Sequence, residues 1–435
     1  MKYLYFSFLL AIASHSNFAQ TTLIPDVNFE QALIDQGYDT GPANGSVFTD
    51  SINTLTNVNL NGKSISDLSG IEDFTAVDIL DCSNNQLSAL DVSNNLLLHG
   101  LVCFSNQLTT LDLSNNTDLI GFDCSYNQIT SLDLSTNINL TSIVCAGNDI
   151  PSLDISSLPE LAYIDCAFNN LTSIDFSQAP FLIHVEISSN NIPTLDFSNN
   201  PDLNLLYCDS NGLTDINVSQ NTKLRYLNCV VNDITSLDVT NCDSLRYLYF
   251  TDNQLTQIDV SQNPNLRDFF CEGNQIEMLN FENNIMLNWI VCNDNKLKCL
   301  KAKNGFNNDM FGIVSFNNPN LNCIEVDDPM YAALNWQNVA SNAIYSGDCG
   351  ESCIMGFEKK EELSISIYPN PVTNGILNIE NQSDYLDFTI YNSIGQVLQS
   401  GRTLNQIDGS NLANGSYLLE LRISEKFQIQ KFVIH

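Results

Sequence analysis

The sequence predicts a mainly β protein: a solenoid of stacked short coils with a cap at each end, followed by a small β-sandwich. Three observations predict this architecture. A unit of about 21 residues occurs in eleven consecutive copies, from Leu80 to Leu297, without a shift of frame. After Leu363 the pattern changes to short alternating stretches separated by turn residues. A coil of this length leaves no room for a full helix, so little helix is expected.

The repeated unit is clearest at residues 80–93, LDCSNNQLSALDVS. Leu80 and Cys82 alternate with Asp81, which predicts a short strand whose apolar side chains point inward. Leu87 and Leu90 close the core from the other side. Because one coil cannot bury its own apolar face, neighbouring coils must stack. The frame resembles the leucine-rich repeat, L-x-x-L-x-[LC]-x-x-N-x-L, over roughly residues 77–326, and this resemblance implies a solenoid.

One asparagine recurs in every frame. A buried asparagine at a chain turn must satisfy its amide, and stacked coils allow it to bond backbone groups of its own coil and of the next one. We expect these residues to form a structural ladder: Asn85, Asn106, Asn127, Asn148, Asn169, Asn190, Asn211, Asn232, Asn253, Asn274 and Asn295.

Nine of the fourteen cysteines occupy one repeat position: Cys82, Cys103, Cys124, Cys145, Cys166, Cys208, Cys229, Cys271 and Cys292. Ile187 and Phe250 take the same position in the two remaining frames. The position therefore favours a small or medium apolar side chain, which predicts buried free thiols. A metal ladder is the alternative, although no paired histidine or C-x-x-C spacing supports it.

The end of the solenoid carries the cysteines that we expect to form disulfides. Cys299, Cys323, Cys349 and Cys353 flank the point where a cap must cover the last coil. A bridge from Cys323 to Cys349 is preferred. A bridge from Cys299 to Cys323 is the alternative, since each lies seven residues after a core position.

The remaining segments divide the chain in order. Residues 1–19 are typical of a secretory signal peptide. Residues 20–76 form an N-terminal cap, in which Asp26 is a suitable N-cap for a helix that buries Phe29 and Leu33. The solenoid covers 77–326, a C-terminal cap 327–350 and a linker 351–362. No further stretch is long and apolar enough to span a bilayer.

Residues 363–435 predict an antiparallel β-sandwich of the immunoglobulin-like type. Strands are expected at 364–368, 376–379, 386–391, 417–423 and 427–434. Tyr368-Pro369-Asn370-Pro371, residues 391–397 (YNSIGQV), Asn414-Gly415-Ser416-Tyr417 and the terminal KFVI together resemble the type A C-terminal sorting domain of the type IX secretion system. The resemblance implies export across the outer membrane, handling by the type IX machinery, and a cell-surface or extracellular destination.

Composition and motifs argue against several functions. The formal charge is −34, whereas binding to nucleic acid requires a basic surface. The sequence contains no Gly-rich phosphate loop, no H-E-x-x-H and no G-x-S-x-G. We therefore expect neither catalysis nor a cofactor.

The outward strand positions predict a binding patch on the concave face of the later coils. Aromatic residues concentrate there, and we call the following set the aromatic platform: Tyr207, Tyr226, Tyr247, Tyr249, Phe270 and Trp289. From Ser64 to Thr222 the chain has no lysine or arginine, and then Arg225, Arg246 and Arg267 share one repeat position. This arginine file could hold a carboxylate or sulfate while the rings stack on a ligand. Alternatively, the arginines pair with acidic neighbours such as Asp268 and Glu272.

A file of acidic residues recurs in the outer turns: Asp91, Asp112, Asp133, Asp154, Asp175 and Asp196, then Asn217, Asp238, Asp259 and Asn280. Stacked like charges repel, so a compensating interaction is expected. Hydrogen bonds from backbone N–H groups would supply it, and the replacement by asparagine favours this explanation. Calcium bridging between coils is the alternative.

Taken together, the sequence predicts a secreted or cell-surface protein without catalytic activity. The concave face would bind a protein or an anionic glycan. The alternative is a structural or adhesive surface protein that has no specific soluble ligand.

Overall fold

The computed structural model describes residues 20–336, 338–350, 366–373, 375–380, 385–392, 396–423 and 426–434. The chain forms two compact units, Met1–Cys353 and Ile354–His435. The predicted signal peptide, 1–19, and the predicted linker, 351–362, lie outside the described residues. None of the helices in the described ranges is both long and apolar enough to cross a membrane.

The N-terminal cap contains a two-stranded antiparallel sheet, Thr21–Leu23 with Ser46–Phe48, and helices Val27–Asp35 and Thr49–Ile52. Asp26 caps the first helix, with its Oδ1 accepting the N–H groups of Asn28 at 2.8 Å and Phe29 at 3.1 Å. Its Oδ2 accepts the N–H and the hydroxyl of Ser66, both at 2.8 Å. Burial alone would raise the pKa of Asp26, but these hydrogen bonds outweigh burial and lower it.

The solenoid is built on one parallel sheet of thirteen strands in the described chain, each of three residues. Most strands pair in register with the strand one coil later, as Leu80 does with Leu101. In each strand the middle side chain is buried in the core. The strands are Asn57–Asn59, Ile79–Asp81, Gly100–Val102, Gly121–Asp123, Ser142–Val144, Tyr163–Asp165, His184–Glu186, Leu205–Tyr207, Tyr226–Asn228, Tyr247–Tyr249, Asp268–Phe270, Trp289–Val291 and Gly312–Val314.

The opposite side of the coils is mostly extended chain, and short strands form there in the later coils. Thr194–Asp196 pairs with Asp215–Asn217. A second parallel sheet contains Met278–Asn280, Cys299–Lys301, Cys323–Glu325 and Ile344–Ser346. Two single turns of 3-10 helix, Ile71–Asp73 and Asn307–Asp309, complete this side.

The asparagine ladder bonds each coil to the one before it. Asn169 is typical: its amide group donates to the carbonyl of Cys166 at 3.2 Å and to that of Cys145, one coil earlier, at 3.0 Å. Its Oδ1 accepts the N–H of Ile150 at 3.0 Å. Each ladder residue thus satisfies backbone groups that would otherwise be buried without a partner.

A second asparagine file, which the sequence analysis missed, lies in the outer turns: Asn95, Asn116, Asn137, Asn200, Asn221, Asn263 and Asn284, all with zero exposure. Asn221 donates to the carbonyls of Phe197 at 3.1 Å and Asn200 at 2.7 Å. Unlike the ladder residues, all seven have an Oδ1 without a hydrogen-bond partner among the residues that the structure describes. Leu158, Ala179 and Cys242 interrupt the file, which is why its period is hard to recognise in the sequence.

The nine cysteines that share one repeat position, which we call the cysteine file, are buried and free. Burial raises the pKa of these thiols, to about 12 for Cys82 and Cys229. The thiolate, which is the nucleophile and metal ligand, is therefore disfavoured at neutral pH. In the described part of the chain no group of three or more His, Cys, Asp or Glu residues is arranged to hold a metal ion.

The C-terminal cap covers the last coil with the helix Pro329–Asn335, capped by Asp328. Cys323 and Cys349 form a disulfide across the cap, with Cα atoms 5.9 Å apart, which confirms the preferred pairing. Cys299 is itself disulfide-bonded, so the alternative bridge from Cys299 to Cys323 is wrong. Trp336 packs on Gly312, where a Cβ would lie 2.9 Å from the indole, so this close contact requires glycine.

The C-terminal unit is a β-sandwich, as expected. One antiparallel sheet contains Ser366–Tyr368, Ile376–Glu380 and Gln406–Asp408, and the other contains Val397–Thr403, Leu386–Tyr391, Gly415–Ile423 and Lys426–Ile434. Leu377 and Ile407 of the first sheet share a core with Ile390 and Leu419 of the second. The sequence analysis missed the strands 397–403 and 406–408, because the first is polar and largely exposed and the second has only three residues.

Candidate functional site

The solvent-facing side of the thirteen-stranded sheet carries a continuous row of rings. We call this row the aromatic ribbon: Tyr163, His184, Tyr207, Tyr226, Tyr247, Tyr249, Phe270, Trp289 and Phe311. Each ring centroid lies 4.5 to 6.5 Å from that of a neighbouring ring. The row exists because parallel in-register strands stack the outward first and third positions of successive coils. Five rings stand first in their strands and three stand third, whereas Phe311 lies just before its strand. All six rings of the aromatic platform are brought together in it.

The ribbon extends past the platform at both ends. Tyr163 and His184 precede it, with centroids 4.7 Å apart in an edge-on arrangement. Phe311 follows it, 6.5 Å from Trp289, and is 77% exposed. An insertion before the last coil moves Phe311 out of the 21-residue spacing, which is why the sequence analysis missed it.

The arginine file borders the ribbon at the start of the strands. The N–H of Arg246 donates to the carbonyl of Arg225 at 3.0 Å, and that of Arg267 to the carbonyl of Arg246 at 2.8 Å. The three residues therefore stack directly over one another. Phe311 occupies the same position two coils after Arg267.

The three guanidinium groups make no ion pair and no side-chain hydrogen bond with the described residues. Two lysines of the later coils, by contrast, form ion pairs: Lys298 with Glu277 at 2.7 Å and Lys301 with Glu282 at 3.7 Å. The pairing of the arginines with Asp268 or Glu272, the alternative that the sequence left open, is not formed. Burial raises the pKa of Asp268 and outweighs the hydrogen bond from Tyr249 and the charge of Arg267, both of which lower it.

Carboxylates lie among the rings of the ribbon. Burial, reinforced by the charges of Asp165 and Asp209, raises the pKa of Glu186. Burial also raises the pKa of Tyr226 to about 12, with Tyr207 and neighbouring carboxylates adding to the shift. The hydroxyl of Tyr249 donates to Asp268 at 3.3 Å. The ribbon is thus bordered by cations at one margin and contains anions within it.

The acidic file of the outer turns does not contribute to this surface. Asp91 accepts the N–H of Ser93 at 2.9 Å, and the aspartates of the other coils make the equivalent bond. Asn217 and Asn280 accept the same bond in their coils. Hydrogen bonds from Ser93 lower the pKa of Asp91. These contacts are the backbone hydrogen bonds that the sequence analysis expected.

The C-terminal end of the ribbon borders a cavity of about 430 Å³. Trp289 and Phe311 form part of its lining, together with the strand Gly312–Val314 and residues of the C-terminal cap. Sequence reasoning gave no signal for this cavity, because it depends on how the cap folds against the last strand.

Comparisons with known proteins agree with both units. Residues 366–435 match the family described as the secretion system C-terminal sorting domain. The sorting domain indicates export through the type IX secretion system, to the cell surface or the medium. No curated protein sequence shows significant similarity to the chain.

Solved structures of two Listeria monocytogenes proteins share the solenoid fold. The functional domain of InlJ, which includes a cysteine ladder, superposes with a TM-score of 0.61 at 24% identity, over 96% of this chain and 99% of that chain. An internalin, InlF, superposes with a TM-score of 0.61 at 21% identity, over 76% of this chain and 97% of that chain. The first unit therefore has the fold of a leucine-rich-repeat solenoid, and the sorting domain marks the chain for secretion.

Proposed function

We propose that the protein is a non-catalytic binding protein and that its ligand contacts the aromatic ribbon and the arginine file. The observation that carries this proposal is the three stacked arginines without ion-pair partners beside a row of rings. Because these guanidinium groups make no ion pair with any residue that the structure describes, they remain able to bind an anion in a chain whose formal charge is −34. Arginine also binds carboxylate and sulfate groups bidentately.

The ligand class follows from this chemistry. The guanidinium groups suit anions spaced along the solenoid axis, such as acidic side chains of a protein or sulfates and carboxylates of a glycan. The tyrosine and phenylalanine rings supply contact area at low cost in conformational entropy. The proposed ligand is therefore a protein or an anionic glycan, as the sequence analysis expected, and no nucleic-acid partner is proposed.

Binding to arrays of glycans and surface proteins tests the proposal. The variant R225A/R246A/R267A should lose most of the binding seen with the unaltered chain. The matched control is K296A/K298A/K301A, which removes the same charge from side chains that pair with the outer turns. Equal binding by the two triple variants would mean that the arginine file does not contact the ligand.

A structural or adhesive role is the second candidate, favoured by the large number of coils that share one frame. It predicts self-association without a saturable ligand. Sedimentation of the exported protein over a range of concentrations separates the two roles, because a specific binding protein has no need to self-associate.

A further inference from the structure

The cavity at the end of the ribbon lies between two segments that are distant in sequence. On one side are Trp289 and Phe311, whose ring centroids are 6.5 Å apart with planes inclined at 65°. On the other side are Asn335, Trp336 and Asn338 of the C-terminal cap. The two exposed rings form a corner, so a flat ligand can stack on one ring and touch the edge of the other.

None of the eight residues that line the cavity carries a charge. The polar side chains of the lining are two amides and two indoles. Asn338 is exposed and makes no side-chain hydrogen bond with the described residues. Asn335 donates to the carbonyl of Tyr331 at 2.8 Å, which leaves its Oδ1 available as an acceptor. An uncharged cavity with these groups selects a neutral ligand that has many hydroxyl groups.

Trp336 adds a second, independent observation. The residue is only 4% exposed, and its indole N–H has no hydrogen-bond acceptor in the part of the chain that the structure describes. A buried N–H without an acceptor costs folding free energy. A ligand oxygen that a small shift of the ring brings within hydrogen-bonding distance would remove that cost. A hydroxyl group of a ligand in the cavity is such an oxygen.

The strand edge beside the cavity is closed to an added peptide strand. The N–H of Ser315 already donates to the carbonyl of Asn338 at 2.9 Å. The indole of Trp336 packs so closely on Gly312 that a Cβ there would lie only 2.9 Å from it. An extended peptide that pairs with a sheet edge needs a free N–H at Ser315 and free space beside Gly312. The geometry therefore disfavours a peptide strand in the cavity.

We propose that the cavity formed by Trp289, Phe311, Asn335, Trp336 and Asn338 binds one ring of a neutral carbohydrate. The apolar C–H face of the sugar stacks on Trp289 or Phe311, and its hydroxyl groups bond the two amides. A volume of about 430 Å³ admits a small ligand of this kind. This subsite shares Trp289 with the ribbon but does not require the arginine file.

The chain offers a direct reporter for the test, because its only two tryptophans both line the cavity. The full exported chain is titrated with neutral oligosaccharides of glucose, mannose, xylose, galactose and N-acetylglucosamine while tryptophan emission is followed. At least one oligosaccharide should change the emission saturably. F311A and N338A should each weaken that binding by about tenfold or more.

The control F181A removes another exposed ring elsewhere on the solenoid and should leave sugar binding unchanged. A second arm uses neutral extended peptides. Absence of a saturable change with every oligosaccharide, or a change with peptides alone, would overturn the proposal. So would sugar binding that F311A and N338A leave intact. R225A/R246A/R267A should bind the sugar normally, which separates this subsite from the proposed function.

Discussion

At the scale of single residues, the two asparagine files have different energetic roles. The ladder residue Asn253 donates to the carbonyls of Cys229 and Phe250, and its Oδ1 accepts the N–H of Ile234. Asn263, in the second file, donates to two carbonyls, but its Oδ1 is buried without a partner. The buried Oδ1 without a partner reduces the net stabilisation that the two donated hydrogen bonds of Asn263 contribute to the folded state.

The same substitution at these two positions should therefore have unequal effects. Asn253→Cys leaves the buried N–H of Ile234 without its acceptor and removes one of the two amide bonds to each of the carbonyls of Cys229 and Phe250, so it should cost about 2–4 kcal/mol of unfolding free energy. Asn263→Cys should cost about 1 kcal/mol or less, because Cys242 already occupies this position one coil earlier and its Sγ reaches the carbonyl of Val218 at 3.6 Å. Urea unfolding under reducing conditions measures both, and equal costs would contradict the distinction.

Titration of Glu186 gives a second prediction at this scale. Burial and neighbouring carboxylates raise its pKa above the ordinary 4.5, so ionised Glu186 disfavours the folded state near neutral pH. The folded state gains stability as the pH falls through the raised pKa. The lowered pKa of Asp26 acts oppositely, since its contribution is lost as the pH falls below the ordinary 3.8.

Glu186→Gln should thus raise the thermal unfolding temperature near about pH 7 and have little effect near about pH 4. Glu160→Gln is the control, because Glu160 is exposed and its change removes the same charge. Equal shifts of the unfolding temperature in the two variants would mean that the effect comes from net charge alone.

At the scale of structural elements, the coil is the unit of folding. Strands pair in register with the strand one coil away, and the asparagine ladder bonds only adjacent coils. Stability in such an array is a sum of coil and nearest-neighbour contributions. A whole coil is therefore removable, whereas a shift of frame by one residue moves the apolar side chains to the outside.

Deletion of residues 128–148 joins Asn127 to Asp149 and keeps the frame, because Asn127 and Asn148 occupy the same repeat position. This variant should unfold cooperatively with a modestly lower unfolding temperature. Deletion of residues 128–149, one residue longer, should lose the cooperative transition. Circular dichroism on heating measures both, and similar behaviour of the two deletions would contradict the coil as the folding unit.

At the scale of the whole molecule, the two units have separate tasks. The solenoid unit contains the surface proposed for binding, and the matched sorting domain directs export. A chain ending at residue 353 should fold its solenoid but fail to reach the cell surface. Fractionation of cells that express the truncated and full chains measures this, and surface delivery of the truncated chain would contradict it.

Much of this architecture can be predicted from the sequence, because every coil repeats the same pattern of apolar and polar residues. A strict 21-residue period fixes which side chains of each strand point inward. The sheet, the cysteine file and the outward positions of the rings therefore follow from the repeated unit. The second asparagine file was missed where Leu158, Ala179 and Cys242 break the period. Phe311 and the cavity depend on the insertion and on packing of Trp336, which no local pattern encodes.

The central claim is that the ligand contacts the sheet side of the later coils. Photo-cross-linking from a reactive phenylalanine analogue placed at Tyr247, compared with one at Gln262 in an outer turn, tests it most directly. We predict adducts on the native cell surface from position 247, abolished by R225A/R246A/R267A, and none from position 262. Adducts from position 262 alone, or equally from both positions, would contradict the account.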